Sequence, residues 1–164
     1  MTEKAALRVK IRAKIAALPE AAIRESNARI REKVLALPEL RAAKRVFTYL
    51  SEPWEVDTRA IIEILLGRGK TVALPVVRGR GVMIFADIHD LDGPALAPEA
   101  GDLLLVPALC YDRQNYRLGQ NGGYYDRYLA ACAGFSVGLC RRVLLRARVP
   151  REPHDMPVDL VVTD

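Results

Sequence analysis

The run "DLLLVPAL" at 102–109 decides how this 164-residue chain folds. Its successive aliphatic residues leave no polar face. Such a strand is buried on both sides, as in a parallel sheet covered by helices front and back. Working outward, "RVFTYLS" (45–51), "KTVALPVV" (70–77), "VMIFADI" (82–88), "FSVGLC" (135–140) and "DLVVT" (159–163) read as partner strands. "TRAIIEILLGRG" (58–69) reads as a helix closed by glycine, and another helix is expected near 123–132. Upstream, "EKAALRVKIRAKIAAL" (3–18) places Leu7, Ile11 and Ile15 every fourth residue, with Leu18 following, which predicts an amphipathic helix. A second helix covers roughly 19–37, with Ile23, Ile30, Val34 and Leu37 inward and Pro19 in its first turn. Apolar strands alternating with helices imply an α/β fold, a mostly parallel twisted sheet flanked by helices. Ligands of such sheets collect at the carboxyl ends of the strands.

The length suits a single domain spanning 1–164. No stretch approaches about 18 continuous apolar residues, so no membrane span is expected. The opening "MTEKAALRVK" lacks the apolar core of a secretory signal. Three cysteines (Cys110, Cys132, Cys140) with no CxxC spacing read as small buried residues in a reducing compartment, and a cytoplasmic location is expected. The formal net charge of +5 suits an anionic ligand. Basic residues concentrate before position 45, including a stripe of Lys4, Arg8 and Arg12, and interleave with acids as solvated helix faces do. With no RNA-binding aromatic signature and no DNA-reading helix, no nucleic-acid partner is expected. The expected assembly is a monomer or a weak dimer.

"GRGKT" (67–71) has the tail of a phosphate-binding loop, but Ile64 stands where that motif needs glycine and a strand follows the lysine. It reads as a helix-ending turn. "RLGQNGGYYDRYL" (117–129) is different. A glycine turn before a helix exposes free N–H groups, and the helix dipole favours an anion there. Arg117 adds a charge-assisted contact, and Asp126, one turn in, is a candidate Mg²⁺ ligand. The plainer reading is a strand-to-helix loop with exposed tyrosines. "PREPHDMPVDLVVTD" (150–164) offers Asp155 as a second metal carboxylate, though Asp155 or Asp159 equally suits a turn cap beside Pro153 and Pro157. His154 reads as a surface or hydrogen-bonded residue. In "YLSEPWEVDT" (49–58), Trp54 and Glu55 follow a strand, at a ligand edge; Glu55 suits hydrogen bonding to a pterin-like or amide edge, and Asp57 or Thr58 caps the next helix.

Taken in order, these pieces resemble the 5-formyltetrahydrofolate cyclo-ligase (methenyltetrahydrofolate synthetase) family across nearly the whole chain. The carrying motifs are Lys4 and Arg8 on the first helix, "YLS" (49–51) with "EVDT" (55–58), "VPALCYD" (106–112), residues 117–127, and "PREPHDMPVDLVVTD". The resemblance implies a Rossmann-like three-layer fold of the NagB/RpiA/CoA-transferase-like kind. It implies conversion of 5-formyltetrahydrofolate into 5,10-methenyltetrahydrofolate with ATP and Mg²⁺, releasing ADP and phosphate. The formyl oxygen attacks the γ-phosphate, N10 closes on the activated carbon, and phosphate leaves. Such chemistry rests on positioning and electrostatics.

Carried onto this sequence, the resemblance assigns ATP to Lys4, Arg8, Arg117, Leu118, Gly119, Gln120, Asn121, Gly122, Gly123, Tyr124 and Tyr125. It assigns the folate to Leu50, Glu55, Gln120, Asn121, Gly122, Gly123 and Tyr124. Catalytic roles fall to Arg117 and Tyr124, and Mg²⁺ to Asp126 and Asp155. Asn115 and Asn121 stand where family members carry glycine, and Asn best tolerates left-handed backbone among non-glycine residues. Between "MIFADI" and "DLLLVP" the family's longer folate-side stretch with Gly-Ile-x-Glu-Pro is missing. After "VGL" an aromatic residue and a glutamine give way to a segment rich in arginine (Arg141, Arg142, Arg146, Arg148). Two other readings stay open at this point. One is a divergent paralogue using ATP on another substrate. The other is a non-catalytic binder of nucleotide or folate.

Overall fold

The computed structural model describes residues 1–120 and 123–164. In chain order its elements are α1 (Glu3–Ala16), α2 (Glu20–Leu35), α3 (Pro38–Ala42), β1 (Arg45–Phe47), α4 (Arg59–Gly67), β2 (Thr71–Val77), β3 (Met83–Asp87), β4 (Leu103–Val106), β5 (Cys110–Tyr111), β6 (Arg117–Leu118), α5 (Tyr124–Ala131), β7 (Phe135–Leu139) and β8 (Leu160–Val162). The strand within the 102–109 run, β4, is buried at every position and lies between β1 and β7, parallel to both. The sheet order is β3-β2-β1-β4-β7-β8, parallel except for the antiparallel edge β3.

Side-chain alternation along these strands divides the interior in two. Val46, Val72, Leu74, Leu103, Leu105, Val137 and Leu139 face one side and pack with Ile30, Val34, Leu40, Ile61 and Leu65 from α2, α3 and α4. Phe47, Ala73, Phe85, Leu104 and Val106 face the other side and pack with Ile11 and Ile15 of α1 and with Leu118 and Tyr111. Helices thus cover both faces, the mixed, mostly parallel α/β arrangement that the apolar runs predict. No helix among the described residues is long and apolar enough to cross a membrane.

Local chemistry explains the boundaries. The Thr2 hydroxyl caps α1 by accepting from Ala5 N at 3.1 Å. Pro19 precedes α2 as its cap rather than sitting in its first turn, and Pro38 opens α3, which the periodicity does not reveal. "GRGKT" is a helix-ending turn: Gly69 adopts φ 75° between α4 and β2, and the Lys70 ammonium donates to the Arg41 and Ala43 carbonyls. Asn115 adopts φ 69°, the left-handed backbone expected where the family carries glycine. All three cysteines are free thiols, and burial pushes Cys110 up to about 12 and Cys140 to about 11.

The two-residue strands β5 and β6 form a hairpin that no periodicity announces. Its anchor is Asp112, which is 1% exposed. Asp112 accepts from Gln114 N, Tyr116 N and Val149 N, and pairs with Arg151 at 3.1 Å. Burial works against the charge, yet these donors together hold the carboxyl below its usual range. Next to it, the Tyr111 ring is fully buried and its hydroxyl donates to the Val106 carbonyl at 2.6 Å. The ring lies on Gly138 of β7, where an added Cβ would come within 2.3 Å of it.

These contacts set the expected effect of three substitutions on stability. Gly138→Ala should cost about 3 kcal/mol in urea unfolding, because the pinned ring has nowhere to go. Gly67→Ala, with open space around the glycine, should be neutral or slightly stabilising. Asp112→Asn should cost about 2–4 kcal/mol. The lowered Asp112 carboxyl contributes stability in full above the ordinary aspartate value of about 3.9, and the contribution is lost as pH falls through the lower folded value. Asp112→Asn should therefore flatten the acid limb of a stability–pH profile.

Candidate functional site

The sheet order reverses between β1 and β4: the chain runs outward from β1 through β2 to β3, then returns to β4 on the other side. A crevice opens at the carboxyl ends of strands flanking such a switch point. A cavity of about 540 Å³ is lined there by Glu55, which follows β1, and by Pro107, which follows β4. Its other walls are Thr2, Lys4 and Arg8 from the start of α1, Arg117, Gly119 and Gln120 from the end of the hairpin, Gly123 to Asp126 from the start of α5, and Glu152, His154 and Asp155 from the loop before β8.

Within the basic stripe on α1, which the interleaved charges make read as a solvated face, Arg12 is exposed but Lys4 and Arg8 are partly buried against the loops. Lys4 Nζ lies 2.6 Å from Asp155 Oδ2 and 3.9 Å from Glu152. Arg8 Nε donates to the Gly119 carbonyl at 2.8 Å, and Arg12 donates to the Gln120 side chain at 3.4 Å. Spacing of four aligns these cations on one helix side, and that side lies on the loops. Arg117 is folded inward with its side chain 8% exposed, 3.3 Å from Asp126. Its Nε is buried without a hydrogen-bond partner among the described residues. Gly119 packs on this guanidinium, and an added Cβ would approach Nη1 to 2.7 Å.

The carboxylates differ. Asp155 is opposed by burial, but the Lys4 ammonium and Glu152 N hold its carboxyl below the usual value. Burial pushes Glu55 above it, against the hydrogen bond that Glu52 N donates at 2.8 Å. Glu152, His154 and Asp155 bring one ligand atom each to within 4.8 Å of one another. Sequence reasoning passed over Glu152, because an exposed loop acid carries no signal until the loop folds. Asp159 lies outside the cavity: it accepts from Ser136 N and Oγ and ties the loop to β7, the turn-bracing role. Asp57 accepts from Arg59 N at the start of α4, while the Thr58 hydroxyl turns back to the Tyr49 carbonyl.

Not every expected residue meets the cavity. Leu118 is fully buried in the core, so its side chain is unavailable to ATP, and its carbonyl is taken by Leu109 N. Leu50 is exposed and lies outside the lining. Asn121 and Gly122 lie outside the described residues. Residues 89–101 pack back on β3 through the Leu96–Phe85 bridge rather than over the crevice. The arginine-rich segment divides. Arg142, Arg146 and Arg148 are exposed, whereas Arg141 is 3% exposed. Arg141 donates to Ser26 Oγ and Asn27 Oδ1 of α2, both at 2.9 Å, and to the Glu55 carbonyl at 3.2 Å. It therefore ties the Glu55 loop to α2 from beneath.

A family model described as the 5-formyltetrahydrofolate cyclo-ligase family matches residues 1–164. The chain belongs to this family. A probable 5-formyltetrahydrofolate cyclo-ligase of Schizosaccharomyces pombe is 26% identical, over 98% of this chain and 95% of that protein. The Escherichia coli K12 cyclo-ligase is 30% identical over 80% of this chain and 84% of its own length. Among solved structures, a 5,10-methenyltetrahydrofolate synthetase from Aquifex aeolicus is 30% identical with a TM-score of 0.86, covering 99% of this chain and 90% of that one. The Mycoplasma pneumoniae synthetase is 26% identical with a TM-score of 0.83, covering 98% of each.

Arg141→Met should leave the Ser26, Asn27 and Glu55 acceptors unmatched and cost about 1–3 kcal/mol. Amide exchange should accelerate across residues 52–58. Arg141→Lys should not restore protection, because one ammonium does not reproduce the guanidinium fork. Unchanged exchange in Arg141→Met would remove the tether.

Proposed function

We propose that this chain, working as a single unit, converts 5-formyltetrahydrofolate into 5,10-methenyltetrahydrofolate at the expense of ATP. The observation that carries this reading is one cavity holding both signs of charge. Lys4, Arg8 and Arg117 face it together with Asp126, Asp155 and Glu55, at the switch point of a cyclo-ligase fold. Cations alone would suit an anion; carboxylates beside them suit a nucleotide that arrives with a metal.

The donor set fits Mg²⁺. Asp126 and Asp155 are hard oxygen donors in the same cavity, and Asp155 already attracts a cation, Lys4. These two carboxylates would hold the ion, which would supply charge neutralisation to the phosphates. The remaining work belongs to the chain. Lys4, Arg8 and Arg117 draw in and orient the phosphates. The first turn of α5, entered through Gly123 at φ 65°, offers N–H groups to the same charge. Glu55, its carboxyl raised by burial, presents a hydrogen-bonding edge to the pterin. Tyr124 and Arg117 flank the reacting groups. The formyl oxygen attacks the γ-phosphorus and ADP departs. N10 then bonds the activated carbon and gives up its proton, and the C–O bond breaks to release phosphate. Holding the formyl group, N10 and the γ-phosphate in register is the catalytic contribution. Three free thiols suit a cytoplasmic setting.

The test is absorbance at the methenyl-folate band with protein, MgATP and 5-formyltetrahydrofolate at mildly acidic pH. A rise requiring both protein and ATP is expected. Asp126→Ala should abolish the Mg²⁺-dependent rise with the fold intact by circular dichroism, and an active variant would reject the metal assignment. Arg8→Ala should raise the KM for ATP; unchanged ATP kinetics would remove it from the phosphate site.

A further inference from the structure

A second cavity of about 440 Å³ adjoins the first and plays no part in the phosphate chemistry. It is lined by Arg12, Ile15 and Ala16 of α1, by Trp54 and by Gln120. The two cavities share Gln120, and Trp54 is the chain neighbour of Glu55, which lines the first. The Trp54 ring is half-buried against the core cluster that includes Ile11 and Ile15, so it is a fixed apolar platform. At the rim stands Arg12. Its hydrogen bond to Gln120 is long, at 3.4 Å, and among the described residues no carboxylate pairs with it. A flat aromatic wall with a guanidinium at its edge recognises an aryl group that ends in a carboxylate.

We infer that this cavity holds the aminobenzoyl-glutamate end of the reduced folate, with Trp54 against the aryl ring and Arg12 on a glutamate carboxylate. The inference rests on the proposed reaction. N10 must be held in the first cavity to close the ring, and N10 carries the aryl group, so that group leaves within bond lengths of the reacting centre. Gln120, which lines both cavities, stands between that centre and Trp54. The site also bears on how the chain manages without the family's folate-side stretch, since residues 89–101 pack elsewhere.

The experiment uses the whole protein and the probe N-(4-aminobenzoyl)-glutamate, with 4-aminobenzamide as the control lacking carboxylates. Affinity is read by calorimetry and location by emission of Trp54, the chain's single tryptophan. The expected result is saturable binding that shifts Trp54 emission. It should be roughly tenfold weaker in Arg12→Ala and for the benzamide. In turnover, Arg12→Ala should raise the KM for 5-formyltetrahydrofolate by a similar factor while the KM for MgATP stays. No saturable binding, binding that leaves Trp54 emission unmoved, or equal affinity in Arg12→Ala overturns the assignment. Wild-type protein that binds the probe but does not turn over the folate would sink the reaction and leave the aryl-carboxylate site standing. Protein that turns over the folate with an unchanged KM in Arg12→Ala would do the reverse.

Discussion

A sheet buried on both faces has no room for chemistry on its strands, and this constraint organises the molecule. Every side chain of β4 is aliphatic and enclosed. Polar groups placed there would lose their water without gaining partners. Reactive side chains are therefore displaced to the ends of the strands, where the loops begin. The reversal of strand order between β1 and β4 decides which end and which pair of loops. The cavity is thus a consequence of how the core is filled.

Loops alone are poor scaffolds, and the chain stiffens them from three directions. From above, α1 lays Lys4 on Asp155 and Arg8 on the Gly119 carbonyl. From below, the buried Arg141 grips the Glu55 loop through its carbonyl. From the side, Asp112 gathers the amides of the hairpin and of Val149 around one carboxylate. Each device is a charge that reaches at least one partner remote in sequence, from 37 positions for Asp112 and Val149 to 151 for Lys4 and Asp155. Arg8, Arg141 and Asp112 each hold a loop by its backbone, at Gly119, Glu55 and Val149, whereas Lys4 and Asp155 join through their side chains.

Much of this was legible in the residues. The apolar runs and the fourfold spacing in α1 name the layers, because burial on two faces or on one stripe leaves a periodic trace. The glycine turn, Asp126 and Asp155 are visible as chemistry waiting for a fold. What was not legible has a common cause. The hairpin β5–β6 is two residues per strand, too short for any period. Arg141 reads as one member of a basic segment, since nothing nearby marks it for burial; its acceptors lie 86 to 115 positions away. Leu118 sits inside a ligand motif yet turns into the core, because β6 alternates and Arg117 takes the place that faces the cavity. The α1 stripe misleads for a similar reason, as a solvated face and a face lying on a loop share one pattern until the loop is placed.

The Lys4–Asp155 pair joins residues 151 positions apart. Contacts so distant along the chain are late to form, because the loop they close is entropically expensive until the sheet between them exists. The core can assemble from nearer pairings, with β4 docking on β1 and β7. The pair therefore depends on the sheet and on the docking of α1 through Ile11 and Ile15, which bring the two ends of the chain together. Whatever loosens that packing also parts the walls of the cavity, so that competence is tied to the integrity of the whole core.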